Sequence, residues 1–264
     1  MDLGLRGSVI AVTGGGAGIG QGISRACLAE GARVVILSHD SELVQNFLTE
    51  TERDGLPCEL IVADLGQSDQ CRKAIEQIAG RNGRLDGLVN NAGRNDGVGL
   101  ESGTPERFEA SLRSNLLHYY SLAHFALPML KAARGSIVNI SSKVALTGQG
   151  NTSAYAAAKG AQLALTREWA AELIQYGIRV NAVLPAEVLT PLYESWVGLQ
   201  SDPQAALKHI TEQIPLGNRM TTAAEIAAAV VFLLSPTQSG HTTGQHVVVD
   251  GGYVHLDRML TAKG

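Results

Sequence analysis

Read from one end to the other, the chain alternates short β-branched runs with longer amphipathic ones, and few folds accept that rhythm. The short runs are Val9–Val12, Arg33–Leu37, Glu59–Val62, Gly87–Val89, Ser136–Ile140, Arg179–Val183 and Gln245–Val249. Several are apolar at consecutive positions, so both faces of the strand need cover, as in a parallel sheet between two helical layers. Between them the spacing predicts helices over Ile19–Glu30, Ser41–Arg53, Gln70–Arg81, Pro105–Ala133, Ser153–Tyr176 and Ala223–Leu234. Strand followed by helix throughout 264 residues predicts a doubly wound α/β fold, a parallel seven-stranded sheet with helices on both faces.

No shift in composition and no internal repeat divides the chain, so residues 1–264 are expected to form one domain. The stretch Leu189–Met220 breaks the rhythm with Pro191, Pro203 and Pro215, and it carries Tyr193 and Trp196. Ligands of such sheets sit beyond the carboxyl ends of the strands. An excursion at about 189–220 therefore reads as a substrate lid, with a structural helix-loop insert as the alternative.

Composition removes several classes of function. The net charge of −4 with no basic block argues against nucleic acid. The most apolar stretch, Ile226–Leu234, is too short to span a bilayer, and no signal-peptide pattern opens the chain. Cys27, Cys58 and Cys71 are odd in number and form no CxxC pair, which fits reduced thiols in a cytoplasmic protein. His241, His246 and His255 match no metal-ligand spacing, so no metal is expected.

After the first strand the chain reads Thr13-Gly14-Gly15-Gly16-Ala17-Gly18-Ile19-Gly20 and then enters a helix. Glycines there allow a tight turn and let backbone N–H groups approach an anion at the helix N-terminus. Tyr155 and Lys159 stand four apart in a predicted helix, hence on one face. A phenol near its ordinary pKa of about 10 is a poor base at neutral pH, and a neighbouring ammonium brings it closer to the working range. Ser142 lies thirteen residues before Tyr155, at the end of the fifth strand, with Ser141 as its rival.

The TGxxxGxG cradle, Asn90-Asn91-Ala92-Gly93 after the fourth strand and Tyr155-Ala-Ala-Ala-Lys159, in that order, resemble the short-chain dehydrogenase/reductase family. The resemblance covers essentially the whole chain. It implies a Rossmann-type single domain, a nicotinamide dinucleotide and a homotetramer, with Asn115, Ser142, Tyr155 and Lys159 as the catalytic set. Asn115 would hold a water on its backbone carbonyl, linking Lys159 to solvent; an Asn that merely perturbs a helix is the bland alternative.

The same resemblance assigns cofactor contacts to Gly14, Gly18, Ile19 and Gly20, to Asn91, Ala92 and Gly93, to Tyr155 and Lys159, and to Pro185, Val188 and Thr190. Ser38 stands where NAD-binding members carry Asp, followed by His39 and Asp40. Without a carboxylate at the strand end a 2′-phosphate is not repelled, so NADP is favoured slightly over NAD. Asp64 and Leu65 match the adenine-contacting position, although Asp64 could instead cap the following helix.

Loops beside the catalytic set are rich in amides, hydroxyls and charge, which suits a ligand with many hydroxyls. Ala186 replaces a glycine usual in the family. The stretches NNAGRNDGVGL, NLLHYY, SSKVALTGQGNTSAYAAAKGAQLALTREWA, NAVLPAEVLTPLY and VDGGYVHLDR resemble the family's bacterial L-fucose-oxidising branch. That implies a sugar substrate oxidised at its anomeric carbon to the lactone, with L-galactose and D-arabinose also accepted. Besides Ser142 and Tyr155, sugar contacts are expected from Lys143, Gln149 and Glu187, and more weakly from His118 and Trp196. The segment His255-Leu256-Asp257-Arg258 reads as part of a subunit interface. The competing classes are a reductase of a ketoacyl thioester or hydroxysteroid, and a dinucleotide sensor without turnover, which would need neither Tyr155 nor Lys159.

Overall fold

The structure, a computed structural model, describes residues 2–256. Its elements are β1 (Val9–Thr13), α1 (Gly18–Ala29), β2 (Arg33–Ser38), α2 (Glu42–Arg53), β3 (Cys58–Val62), α3 (Ser68–Asn82), β4 (Gly87–Asn90) and α4 (Pro105–Leu112). They continue with α5 (His118–Ala133), β5 (Ser136–Ile140), α6 (Ser153–Leu173), β6 (Arg179–Pro185), α7 (Pro191–Gly198), α8 (Pro203–Glu212), α9 (Ala223–Leu234) and β7 (His246–Val249). All seven strands pair in parallel in the order β3-β2-β1-β4-β5-β6-β7. The order reverses between β1 and β4, so the loops leaving these strands diverge and open a crevice at their carboxyl ends.

Alternation along each strand feeds two cores. Val9 and Ala11 of β1 pack with Ile75, Tyr119 and Leu122 beneath α3, α5 and α6. Ile10 and Val12 point the other way, to Ile23, Cys27 and Val230 of α1 and α9. This explains the unbroken apolar runs, because a polar residue on either face would be buried without water. Each fully buried aliphatic side chain contributes about 1.5–3 kcal/mol.

The long helix expected over 105–133 is two helices. A π-helical turn, Arg113–Leu117, separates α4 from α5. Inside it Asn115 donates from Nδ2 to the Ser111 carbonyl at 3.1 Å and accepts at Oδ1 from the Arg94 amide at 2.8 Å. The amide side chain thus bonds backbone on both sides, and neither contact is visible in helical periodicity. Ser153–Tyr176 likewise ends as α6 plus a 3₁₀ turn, Ile174–Tyr176.

Residues 189–220 form a loop with two short helices, α7 and α8. The excursion closes on its own base: Val188 bridges to Thr221, and the Thr221 amide donates to the Glu187 carbonyl at 3.0 Å. Among the described residues no helix is long and apolar enough to cross a membrane. Nor does any group of three or more His, Cys, Asp or Glu among them assemble in a form that could hold a metal. Asp257 and Arg258 lie outside the described residues, while His255 is exposed.

Candidate active site

A cleft of about 640 Å³ opens where the strand order reverses. One end is lined by Gly14 and Gly18–Gly20, the middle by Asn91–Asn95, and the far end by Ser142, Tyr155 and Lys159. The loop after β6 and the first turn of α7 cover it through Pro185, Val188, Thr190 and Tyr193.

Two glycines of the cradle are needed for distinct reasons. Gly14 has φ +62°, a left-handed conformation that side chains rarely adopt. A Cβ on Gly20 would sit 2.1 Å from the Gly14 carbonyl oxygen, so the turn could not close. The N-termini of α2, α4, α7, α8 and α9 are capped by Ser41, Thr104, Thr190, Asp202 and Thr222. Helix α1, like α3 and α6, has no side-chain cap, and its first turn from Ala17 to Gly20 lines the cleft, leaving N–H groups there without intrahelical partners. Open N–H groups on a helix dipole fit the phosphates of a dinucleotide.

Thr13 clamps the Asn91-Ala92 turn to this cradle. Its hydroxyl accepts from the Asn91 and Ala92 amides at 2.7 and 2.8 Å, and Asn91 Nδ2 donates to the Thr13 carbonyl at 2.9 Å. Thr13 heads the glycine motif, but its clamping role depends on the Asn91-Ala92 turn packing against it, which spacing does not reveal. Leu43, Arg94 and Asn95, none of them an expected contact, also line the cleft, as does Tyr193 of the expected lid.

Ser142 stands at the start of the loop after β5, capping the 3₁₀ turn Lys143–Ala145, and its hydroxyl is hydrogen-bonded to Tyr155. The rival Ser141 is committed elsewhere, donating to the Lys159 carbonyl at 2.9 Å and so holding α6 against the sheet. Lys159 is buried, with Nζ 5.3 Å from the Tyr155 ring centroid. It donates to the Ile140 carbonyl at 2.8 Å and to Gln162 Oε1 at 3.3 Å. Burial pushes the Tyr155 phenol up to about 12, against the bond from Ser142, and lowers Lys159 to about 7. Both shifts have burial as their largest cause and favour the neutral forms, phenol and amine.

The carbonyl of Asn115, assigned a water by resemblance, accepts from Gln162 Nε2 at 2.7 Å. Lys143 and Glu187 follow Ser142 and Ala186 of the lining in sequence but are not themselves part of it; they form an ion pair with each other, their side chains only 10% and 14% exposed. Tyr193 is hydrogen-bonded to Glu187, and the Lys143 ammonium lies 4.1 Å from the Tyr253 ring centroid. These contacts gather a polar cluster, of which Tyr193 lines the cleft.

Other expected residues are placed away from the cleft lining. His118 is buried behind the Asn91-Ala92 turn, donating from Nε2 to the Ala92 carbonyl at 3.1 Å, and burial lowers its pKa to about 4. It is a packing histidine supporting the turn, not a surface offered to a sugar. Trp196 points outward, half exposed, with its ring edge-on to Tyr193. Gln149 is exposed on the loop after β5. Ser38 and His39 sit at the end of β2, next to Asp64 and Leu65 after β3, beyond the lined part of the cleft. Asp64 does not cap α3, whose N-cap is Gln67; its Oδ1 instead accepts from the Gly66 amide at 2.9 Å. Asp40 accepts from Gln45 Nε2 at 2.6 Å and is thereby turned onto α2.

A family model described as enoyl-(acyl carrier protein) reductase matches residues 14–254. An L-fucose dehydrogenase of Bos taurus is 40% identical over 255 residues, 96% of this chain and 92% of the relative. The crystal structure of Cj0485 dehydrogenase superimposes with a TM-score of 0.93 at 44% identity, covering 98% of both chains. Thermoplasma acidophilum aldohexose dehydrogenase, solved ligand-free, gives a TM-score of 0.86 at 31% identity, covering 97% of this chain and 98% of that one. Matches of this extent, on a chain with this sheet order, lead to one assignment: the protein belongs to the short-chain dehydrogenase/reductase family of NAD(P)-dependent oxidoreductases.

Proposed function

We propose that the enzyme oxidises a pyranose at its anomeric carbon to the lactone, with L-fucose as principal substrate and L-galactose and D-arabinose as secondary ones. The observation that carries this reading is the buried polar cluster of Lys143, Glu187 and Tyr193 beside Ser142 and Tyr155. An ammonium has three donors and a carboxylate several acceptor sites, so the pair keeps capacity for a polyol's hydroxyls beyond its own contact, which an acyl chain or steroid would not use. The names of the bovine and Thermoplasma relatives point to the same substrate class.

In this scheme Ser142 and Tyr155 hydrogen-bond the anomeric hydroxyl, and the Tyr155 phenolate takes its proton. Lys159 supplies the positive charge that makes the phenolate accessible. The nicotinamide, when bound, supplies the hydride acceptor. Asn115 fixes the loop after β4 through the Arg94 amide. Helix α7 and its flanking loop act as a lid, since the excursion is hinged at the Val188–Thr221 bridge.

The cofactor is NADP in preference to NAD. Ser38 leaves the end of β2 without a carboxylate, and Asp40 is tied to Gln45. The ratio of kcat/KM for the two cofactors tests this, and a strong NAD preference refutes it. A homotetramer in the cytoplasm completes the proposal. The outward face of α5 and α6 carries a shallow cavity lined by Tyr120, His124 and Trp169, and the three cysteines are free. Light scattering reads the assembly directly.

The family model's description favours a second reading, reduction of an acyl-thioester substrate. Supplying L-fucose, a 3-ketoacyl thioester and a hydroxysteroid with each cofactor separates the two. Absence of NAD(P)H formation with every aldose refutes the sugar assignment.

A further inference from the structure

Gln162 lies one turn beyond Lys159 on α6 and is completely buried. Both ends of its amide are engaged, Oε1 with the Lys159 ammonium and Nε2 with the Asn115 carbonyl. The amide has only one workable orientation. An ammonium has no acceptor and a carbonyl no donor, so the oxygen must face lysine and the NH₂ must face Asn115. The turn carrying Gln162 is pinned as well. Thr166 Oγ1 donates to the Gln162 carbonyl at 2.7 Å and accepts from Asn139 Nδ2 of β5 at 2.9 Å.

Lys159 has few other means of keeping its charge. Its second acceptor, the Ile140 carbonyl, is shared with the Tyr119 hydroxyl at 3.0 Å. The titratable groups around it are the Tyr155 phenol on its own helix, with Tyr119 and His118 on α5. No carboxylate is among them. A buried ammonium without a counter-ion relies on the dipoles aimed at it.

We propose that Gln162 is a positioning residue that sets the protonation of Lys159, and through it Tyr155, by joining the Asn115 carbonyl to the lysine ammonium with a side-chain amide. The proposal rests on the reading of Tyr155 and Lys159 as catalytic. It also alters what that carbonyl does. An amide donates and accepts but does not pass protons along as a water does, so the Gln162 link from Asn115 to Lys159 is electrostatic and does not conduct protons.

The test compares Gln162→Met with Gln162→Ala. Methionine nearly conserves volume but removes both hydrogen bonds. Alanine leaves a polar-walled space in which a water can bridge the carbonyl and the ammonium. The readout is the pH profile of kcat/KM for oxidation, run with whichever of the three substrate classes the parent turns over, so failure of the sugar assignment leaves it intact. A parent inactive on all of them removes the catalytic reading itself. Gln162→Met is expected to move the acidic limb up by about one pH unit, about tenfold in rate at fixed pH on that limb. Dinucleotide affinity stays at the parental level, and Gln162→Ala moves the limb less than Gln162→Met. A residue that merely fills space predicts the reverse order, with the alanine cavity the more damaging. A parental profile for Gln162→Met overturns the proposal. If that variant does not fold, a Gln162→Ala limb displaced by a full unit or more overturns it alone.

Discussion

Replacing Lys159 with methionine removes a charge that the fold accommodates at a cost, and the cost depends on pH in a calculable way. Burial lowers the group from its ordinary 10.5 to about 7 in the folded protein. Below both values the lysine is protonated in either state, and the folded protein carries the full penalty of the buried ammonium. Between them the folded state is neutral while the unfolded chain still binds the proton, so stability rises with pH. A gap of this size is worth about 4 kcal/mol near pH 7 and about 2 kcal/mol near pH 9. Methionine also forfeits the bonds to Ile140 and Gln162, but that loss does not vary with pH and cancels in the comparison. Urea unfolding of parent and Lys159→Met, each near pH 7 and pH 9, should show the parent gaining about 2 kcal/mol more than the variant. Parallel changes in the two proteins would refute the claim that Lys159 is held with a depressed pKa. The variant should also have no measurable turnover.

Three further outcomes are expected. Tyr155→Phe retains dinucleotide binding, seen by fluorescence titration, but loses turnover; parental turnover would remove Tyr155 from the chemistry. Gly20→Ala places a methyl 2.1 Å from the Gly14 oxygen, so dinucleotide affinity should fall about a hundredfold, near 3 kcal/mol, while far-ultraviolet circular dichroism stays parental. Glu187→Ala strands the Lys143 ammonium, whose side chain is 10% exposed, and should lower unfolding stability by about 3 kcal/mol and raise KM for the sugar. Parental values for both would show that the pair is idle.

Much of the site could be read from spacing because spacing is local. Tyr155 and Lys159 share a helix face by virtue of four residues of separation, and the cradle needs glycine wherever the backbone doubles back. The substrate residues were less legible for the opposite reason. Lys143, Gln149, Glu187, His118 and Trp196 lie on four different segments, and only packing decides which of them meet. Lys143 and Glu187 satisfy each other, His118 turns inward to the Ala92 carbonyl, and Trp196 and Gln149 face solvent. Gln162 carries no signal in the sequence, because an amide on a helix is identified only by its partners, one of them forty-seven residues away.

The alternation of apolar runs was enough to specify a parallel sheet wrapped on both faces, since consecutive buried residues leave no other way to exclude water. Order within that sheet and the choice of Ser142 over Ser141 by geometry came from the fold, because both depend on which groups already have partners. The break at Arg113–Leu117 came from the same source. There the Asn115 side chain takes the Arg94 amide, and its carbonyl turns to Gln162. Periodicity records which face a residue shares, whereas hydrogen-bond partners depend on distances set only when distant segments pack.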